Sequence, residues 1–154
     1  DDKQKTYNYS NVRRWTAPVR LKSASQVSPN ILEVDRIIMP VHCGVHWTCA
    51  MIDLRAKKIY YYDSMLGQDH QLLDNLARYI SDESQDKLKQ PLDTSSWQRV
   101  FPANVPRQTN GWDCGVFTIM FADYCSLGLP FAFSQKDMVN LRYKVLHRLM
   151  THKV

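Results

Sequence analysis

From Asp35 onward, apolar and polar positions fall first into short strand-like runs and then into longer helical ones. Residues 35–41 and 45–53 are β-branched and apolar enough for strands, and 58–63, carrying Tyr60, Tyr61 and Tyr62, read as a third; residues 54–57 are left as a hairpin loop. Leu72, Leu73, Leu76, Tyr79 and Ile80 then recur at helical spacing while Asp74, Asn75, Arg78 and Ser81 fill the other face, which predicts an amphipathic helix over 69–86. Another strand is expected over 97–101, followed by a loop bounded by Pro102 and Pro106. Residues 114–126 predict a largely buried helix. Ser134-x-x-Asp137 opens a last helix with Met138, Leu141, Val145 and Leu149 on one side. The first thirty residues carry the least signal. No repeat, low-complexity tract or linker divides the chain, so the expectation is one α+β domain over residues 1–154.

Composition supports a globular domain with a real core: 44% of the 154 residues are hydrophobic and 23% charged. The most apolar stretch, 115–134, contains Asp123 and is broken by Gly128 and Pro130, so no membrane span is expected there. The net charge of +5 is spread over separate sites such as Arg13/Arg14, Lys57/Lys58 and Lys87/Lys89, without interleaved aromatics. That pattern gives no support to nucleic-acid binding and is compatible with an acidic protein partner. Cys43, Cys49, Cys114 and Cys125 read as reduced thiols rather than a disulfide framework.

Cys114 differs from the other three in context. It stands between a polar, glycine-containing run, Gln108-Thr109-Asn110-Gly111-Trp112-Asp113, and the start of an apolar helical run. A thiol at a helix N-terminus feels the dipole and the nearby N–H donors, both of which favour the nucleophilic thiolate. Cys43, Cys49 and Cys125 read as small buried apolar side chains. A nucleophilic thiol needs a base, and histidine serves near neutrality. His70, His147 and His152 fall on partly exposed helices, whereas His42 and His46 lie on or beside central strands, with His46 opening the stronger run. If Asp53 pairs with Lys58 across the hairpin, Thr48 stands opposite Asp63, and Asp63 becomes a diagonal neighbour of His46 on one face. A carboxylate there can fix the imidazole's tautomer and stabilise its cation. His42, Cys43, His46 and Cys49 also have the residue types of a zinc set. Strand alternation places the two cysteines on one face and the two histidines on the other, so no metal is expected.

The order His46, Asp63, Cys114, within Val45-His46-Trp47, Tyr62-Asp63-Ser64 and Gln108-Thr109-Asn110-Gly111-Trp112-Asp113-Cys114-Gly115, resembles the sentrin/SUMO-specific proteases of the adenovirus-proteinase-like cysteine peptidases, from about Arg13 to Leu149. Papain-like enzymes have the opposite order, cysteine before histidine. The resemblance implies a papain-like cysteine protease fold of the adenovirus-proteinase type, with a mostly antiparallel central sheet flanked by helices. It implies Cys114 as nucleophile, His46 as general base and acid, Asp63 as the His-orienting residue, Gln108 as an oxyanion donor and Trp47 as cover of a narrow slot for a Gly-Gly tail. The implied reaction is cleavage after the C-terminal Gly-Gly of SUMO, in precursors and conjugates, by a cofactor-free monomer in the nucleus and also the cytoplasm. The alternatives on the same catalytic trio are a protease for another ubiquitin-like modifier or an acetyltransferase, and, in a different class, a non-catalytic SUMO-binding module. The family's N-terminal helices, with a Trp-Leu-Asn-Asp-like motif, have no counterpart in this chain, so a catalytic domain lacking that part is expected.

Overall fold

The computed structural model describes residues 7–17, 20–21 and 30–151. It is α+β, as the pattern predicts. Strands β1 (Arg36–Cys43), β2 (His46–Asp53), β3 (Lys58–Tyr62) and β4 (Gln98–Val100) form a four-stranded sheet in the order β1-β2-β3-β4. Gly44, at φ +73°, takes the left-handed step that closes the β1–β2 turn. The three long helices are α1 (His70–Glu83), between β3 and β4, and α2 (Cys114–Leu127) and α3 (Met138–Thr151), after β4.

By internal contacts the described residues sort into two compact units. The first draws on Asp1–Ile37, Ile52–Ile59 and Asp69–Arg99. Its helix α1 starts where the Asp69 side chain accepts from the Leu72 N–H, and it buries Leu73, Ala77 and Ile80. The predicted amphipathic helix ends earlier than its apolar spacing suggests, giving way to a π turn over Ser84–Leu88. Glu83 at this junction is fully buried. Its carboxylate accepts from the Thr16 hydroxyl at 2.9 Å, the Tyr9 phenol at 3.0 Å and the Lys87 ammonium at 2.5 Å. A buried charge survives only with such compensation.

The second unit, from Ile38–Met51, Tyr60–Gln68 and Val100–Val154, carries the candidate chemistry. Its core gathers Cys49 and Met51 of β2, Tyr62 of β3, and Val116, Phe117, Met120, Phe121 and Cys125 of α2, with Met138 opening α3. Phe117 and Phe121 are 0% and 1% exposed, and the Phe121 ring lies 5.1 Å from that of Phe131 and 5.8 Å from Tyr62. Aromatic packing of this kind makes the position of α2, and hence of its first residue, stiff. Helix α2 ends at Gly128, φ +67°, whose N–H and that of Leu129 close back onto Cys125 and Tyr124. The predicted capping box is present: Ser134 and Asp137 cap a 3₁₀ turn over Gln135–Asp137 that runs into α3. Along the apolar side of α3, burial fades from Met138 at 2% to Leu149 at 69% exposed.

One expectation about the thiols is corrected. Cys49 and Cys125 are buried, but Cys43 is exposed. It ends β1, an outer strand of the sheet, beyond which the described residues place no further strand.

Candidate active site

Cys114 is the first residue of α2, which places the thiol at the helix N-terminus as the sequence predicts. It is 7% exposed. The first N–H groups of a helix have no intrahelical acceptor, so the turn that holds the thiol also offers donors.

His46 opens β2, and its Nε2 lies 2.7 Å from Asp63 Oδ1. The β2–β3 hairpin thus brings the two side chains together, as the sequence predicts. Asp63 lies just past the end of β3, is 6% exposed, and has both carboxylate oxygens engaged. Oδ1 also accepts from the Met65 N–H at 2.8 Å, and Oδ2 accepts from the Gly67 N–H at 3.0 Å. The turn that supplies these donors holds Leu66 at φ +62°, a conformation disfavoured for leucine. An alanine Cβ at Gly67 would fall 2.5 Å from Asp63 Oδ2, so the carboxylate occupies the space a side chain would need. With Asp63 accepting, Nε2 carries the ring proton and Nδ1 keeps the lone pair, the tautomer a general base needs.

Gln108 is 9% exposed and tied to this turn twice: its N–H donates to Ser64 O at 3.0 Å, and the Ser64 hydroxyl donates to Gln108 Oε1 at 2.6 Å. The second bond fixes which end of the amide is nitrogen. One hydrogen of Nε2 goes to Asn110 O at 2.6 Å, leaving the other of its two donors for a substrate oxygen.

Trp47 is 40% exposed, which rules out a core role for its ring; it lies 4.6 Å, centroid to centroid, from His42. Trp47 and Gly115, the chain neighbours of His46 and Cys114, line one groove of about 500 Å³ together with Trp112, Ile119 and Arg142. The groove brings the start of β2 and the start of α2 to a common surface.

Sequence reasoning missed the residues behind Cys114. Asp113, 4% exposed, accepts from Asn110 Nδ2 and Gln135 Nε2, each at 2.7 Å, and from Arg142 Nη2 at 2.5 Å and Nε at 3.2 Å. Burial, the largest influence, pushes this carboxyl upward, but the bonds from Arg142, Asn110 and Gln135 together hold it below the usual carboxylate range. The Asn110-x-x-Asp113 spacing beside a cysteine is a local signal of a structured turn; Gln135 and Arg142 have none, since they arrive from the following elements.

The model of the Ulp1 protease family, C-terminal catalytic domain, matches residues 1–152. The chain belongs to the Ulp1 protease family. Among relatives of that family, it is 38% identical over 147 residues to ubiquitin-like-specific protease 1A of Arabidopsis thaliana, covering 96% of this chain and 28% of that protein. It is 36% identical over 150 residues to human sentrin-specific protease 2, covering 96% of this chain and 24% of the relative. The chain thus spans about a quarter of the length of the curated relatives it matches. Among solved Ulp1 structures, the C-terminal Ulp1 protease domain in complex with Smt3, the yeast ortholog of SUMO, superposes with a TM-score of 0.75 at 28% identity, covering 93% of this chain and 61% of that one. A Ulp1 structure whose catalytic cysteine is oxidised to a sulfonic acid gives the same TM-score and identity over 94% of this chain and 62% of that one. The Ulp1-like fold expected from the motifs is therefore the fold observed.

Proposed function

We propose that this chain is the catalytic part of a SUMO-specific cysteine protease and isopeptidase, cleaving after the C-terminal Gly-Gly of SUMO in precursors and conjugates. The observation that carries the reading is the buried Asp63 carboxylate, held by two backbone N–H groups and bonded to His46 Nε2 at 2.7 Å. The neighbours of His46 and Cys114 line the same groove. Membership of the Ulp1 family and the likeness to a Ulp1 domain bound to Smt3 supply the substrate class.

In this reading the Cys114 thiolate attacks the carbonyl carbon of the terminal glycine, and the carbonyl oxygen becomes an oxyanion. Gln108 Nε2–H and the Cys114 backbone N–H donate to it, each donor contributing on the order of 3 kcal/mol to the transition state. The carbon–nitrogen bond breaks as imidazolium His46 gives its proton to the departing lysine amine. Neutral His46 then removes a proton from water, which attacks the thioester and releases the glycine carboxylate and the Cys114 thiol. Trp47 covers the tail, so only residues without side chains pass beneath it. The thiol, imidazole and water complete the cycle without a cofactor. The site of action proposed from the family resemblance is the nucleus.

The test is reaction with SUMO bearing a C-terminal electrophile, beside a SUMO-conjugated protein, a ubiquitin-conjugated protein and an acetyl donor. Covalent capture of the SUMO probe at Cys114 with cleavage of the SUMO conjugate is the expected result. Capture of SUMO without a covalent adduct in the parent chain would refute it in favour of a binding module.

A further inference from the structure

Asp113 is the N-cap of α2, the position where an aspartate ordinarily accepts from the N–H groups one or two residues into the helix. Its side chain makes no such bond. Both oxygens are instead turned to Arg142 of α3, Gln135 of the preceding 3₁₀ turn and Asn110 of the loop before the helix. Arg142 also donates to Trp112 O at 3.3 Å, and Gln135 Oε1 accepts from the Thr109 N–H at 2.9 Å. The loop that presents the nucleophile is thereby tied through Trp112 and Asp113 to Arg142 of α3, and through Thr109 and Asp113 to Gln135 of the 3₁₀ turn.

The alternative position of this carboxylate is chemically costly. An Asp113 that capped α2 would occupy the N–H groups at the helix start and set a negative charge beside the thiol and the developing oxyanion. Like charges there oppose both the thiolate and the transition state. A guanidinium that donates twice to one carboxylate oxygen, Oδ1, outcompetes a cap bond, because charge-assisted hydrogen bonds are the stronger kind. We propose that Arg142 is a positioning residue for the nucleophile: by holding Asp113 away from the N-terminus of α2, it keeps the first backbone donors of that helix and the Cys114 thiol clear of the carboxylate. The inference rests on the reading of Cys114 as the nucleophile.

Two assays of the 154-residue chain test it: single-turnover cleavage of a SUMO fusion, and alkylation of Cys114 by iodoacetamide, which needs no substrate. Arg142→Gln lowers both rates, on the order of tenfold to hundredfold for single turnover, with substrate affinity and melting temperature close to the parent's. Arg142→Lys, which keeps the charge, recovers most of the loss. Adding Asp113→Ala to Arg142→Gln restores the rate, because the harmful carboxylate is gone; damage to the fold cannot produce such suppression. Arg148→Gln, which loses only its contact with Asp123 from the same helix, is the control and keeps the parent rates. Arg142→Gln at parent rates, or a double variant no faster than Arg142→Gln alone, overturns the proposal. A fully active Cys114→Ala protein overturns instead the nucleophile assignment beneath it.

Discussion

Gly67→Ala is the smallest perturbation that presses on the Asp63 carboxylate, proposed to orient the base, without substituting that residue. The added Cβ lands 2.5 Å from Asp63 Oδ2, where ordinary contacts begin at 3.4 Å, so close to 1 Å of movement is required. The carboxylate has little freedom to yield. Its Oδ2 is held by the Gly67 N–H at 3.0 Å, and Oδ1 is shared between the Met65 N–H and His46 Nε2. Rotating it away breaks at least one of these bonds and leaves the imidazole without its fixed tautomer. A misplacement of about 1 Å near a reacting group costs on the order of 10²-fold in rate, and complete loss of the orienting carboxylate approaches 10⁴-fold. The stability change is small. One lost hydrogen bond costs about 1 kcal/mol, and the alanine returns roughly 0.4–1 kcal/mol by restricting the unfolded chain. Single-turnover cleavage of a SUMO fusion and a melting curve for Gly67→Ala, beside Asp63→Ala, measure both quantities. The expected result is a folded protein slowed about 10²-fold, with Asp63→Ala slower still. A Gly67→Ala protein at the parent rate would remove Asp63 from the mechanism.

The remaining predictions concern thiols, the exposed indole and an unpartnered hydroxyl. Cys114→Ala abolishes probe capture and cleavage with the fold retained, whereas Cys49→Ala and Cys125→Ala, at buried sites, lose roughly 1–3 kcal/mol in denaturant titration and keep a reactive Cys114. Cys43→Ala, at an exposed site, leaves both unchanged. Trp47→Ala slows single-turnover cleavage while costing well under the roughly 3–5 kcal/mol of a core aromatic truncation, because its ring is 40% exposed; a large stability loss with unchanged rate per folded molecule would assign it to packing. Thr118→Val raises the melting temperature by a few degrees, since the buried Thr118 hydroxyl has no hydrogen-bond partner among the described residues and relieving it is worth about 1 kcal/mol.

How much of this was legible follows from where each signal resides. The hairpin of β2 and β3 announces itself through alternating aromatic and β-branched residues and a short polar loop, and its register alone predicts the meeting of His46 and Asp63. The start of α2 and the Ser134/Asp137 cap are equally local. Glu83 reads as one more polar residue on an amphipathic helix, yet it is fully buried, because its partners Tyr9 and Thr16 come from more than sixty residues away. The π turn that ends α1 early follows from that same anchoring and has no compositional mark. Cys43 looks as apolar as Cys49, and only its place on an outer strand of the sheet explains why it is exposed. Arg142 belongs to a helix, and Gln135 to the turn that opens it, whose apolar spacing and cap are visible while the target of these polar side chains is not. Gly67 passes for an ordinary turn residue until the carboxylate beside it is placed.

The two bonds between Ser64 and Gln108 join the turn that holds the Asp63 carboxylate to the loop that leads to Cys114. Movement of one loop is therefore transmitted to the other, and the energetic effects of changes at Asp63 and at Gln108 are coupled rather than additive. An insertion in 64–67 reaches Gln108 as directly as one in 108–113. For engineering or for natural divergence the two segments form a single inheritable piece, exchangeable together between related scaffolds and damaged when exchanged apart.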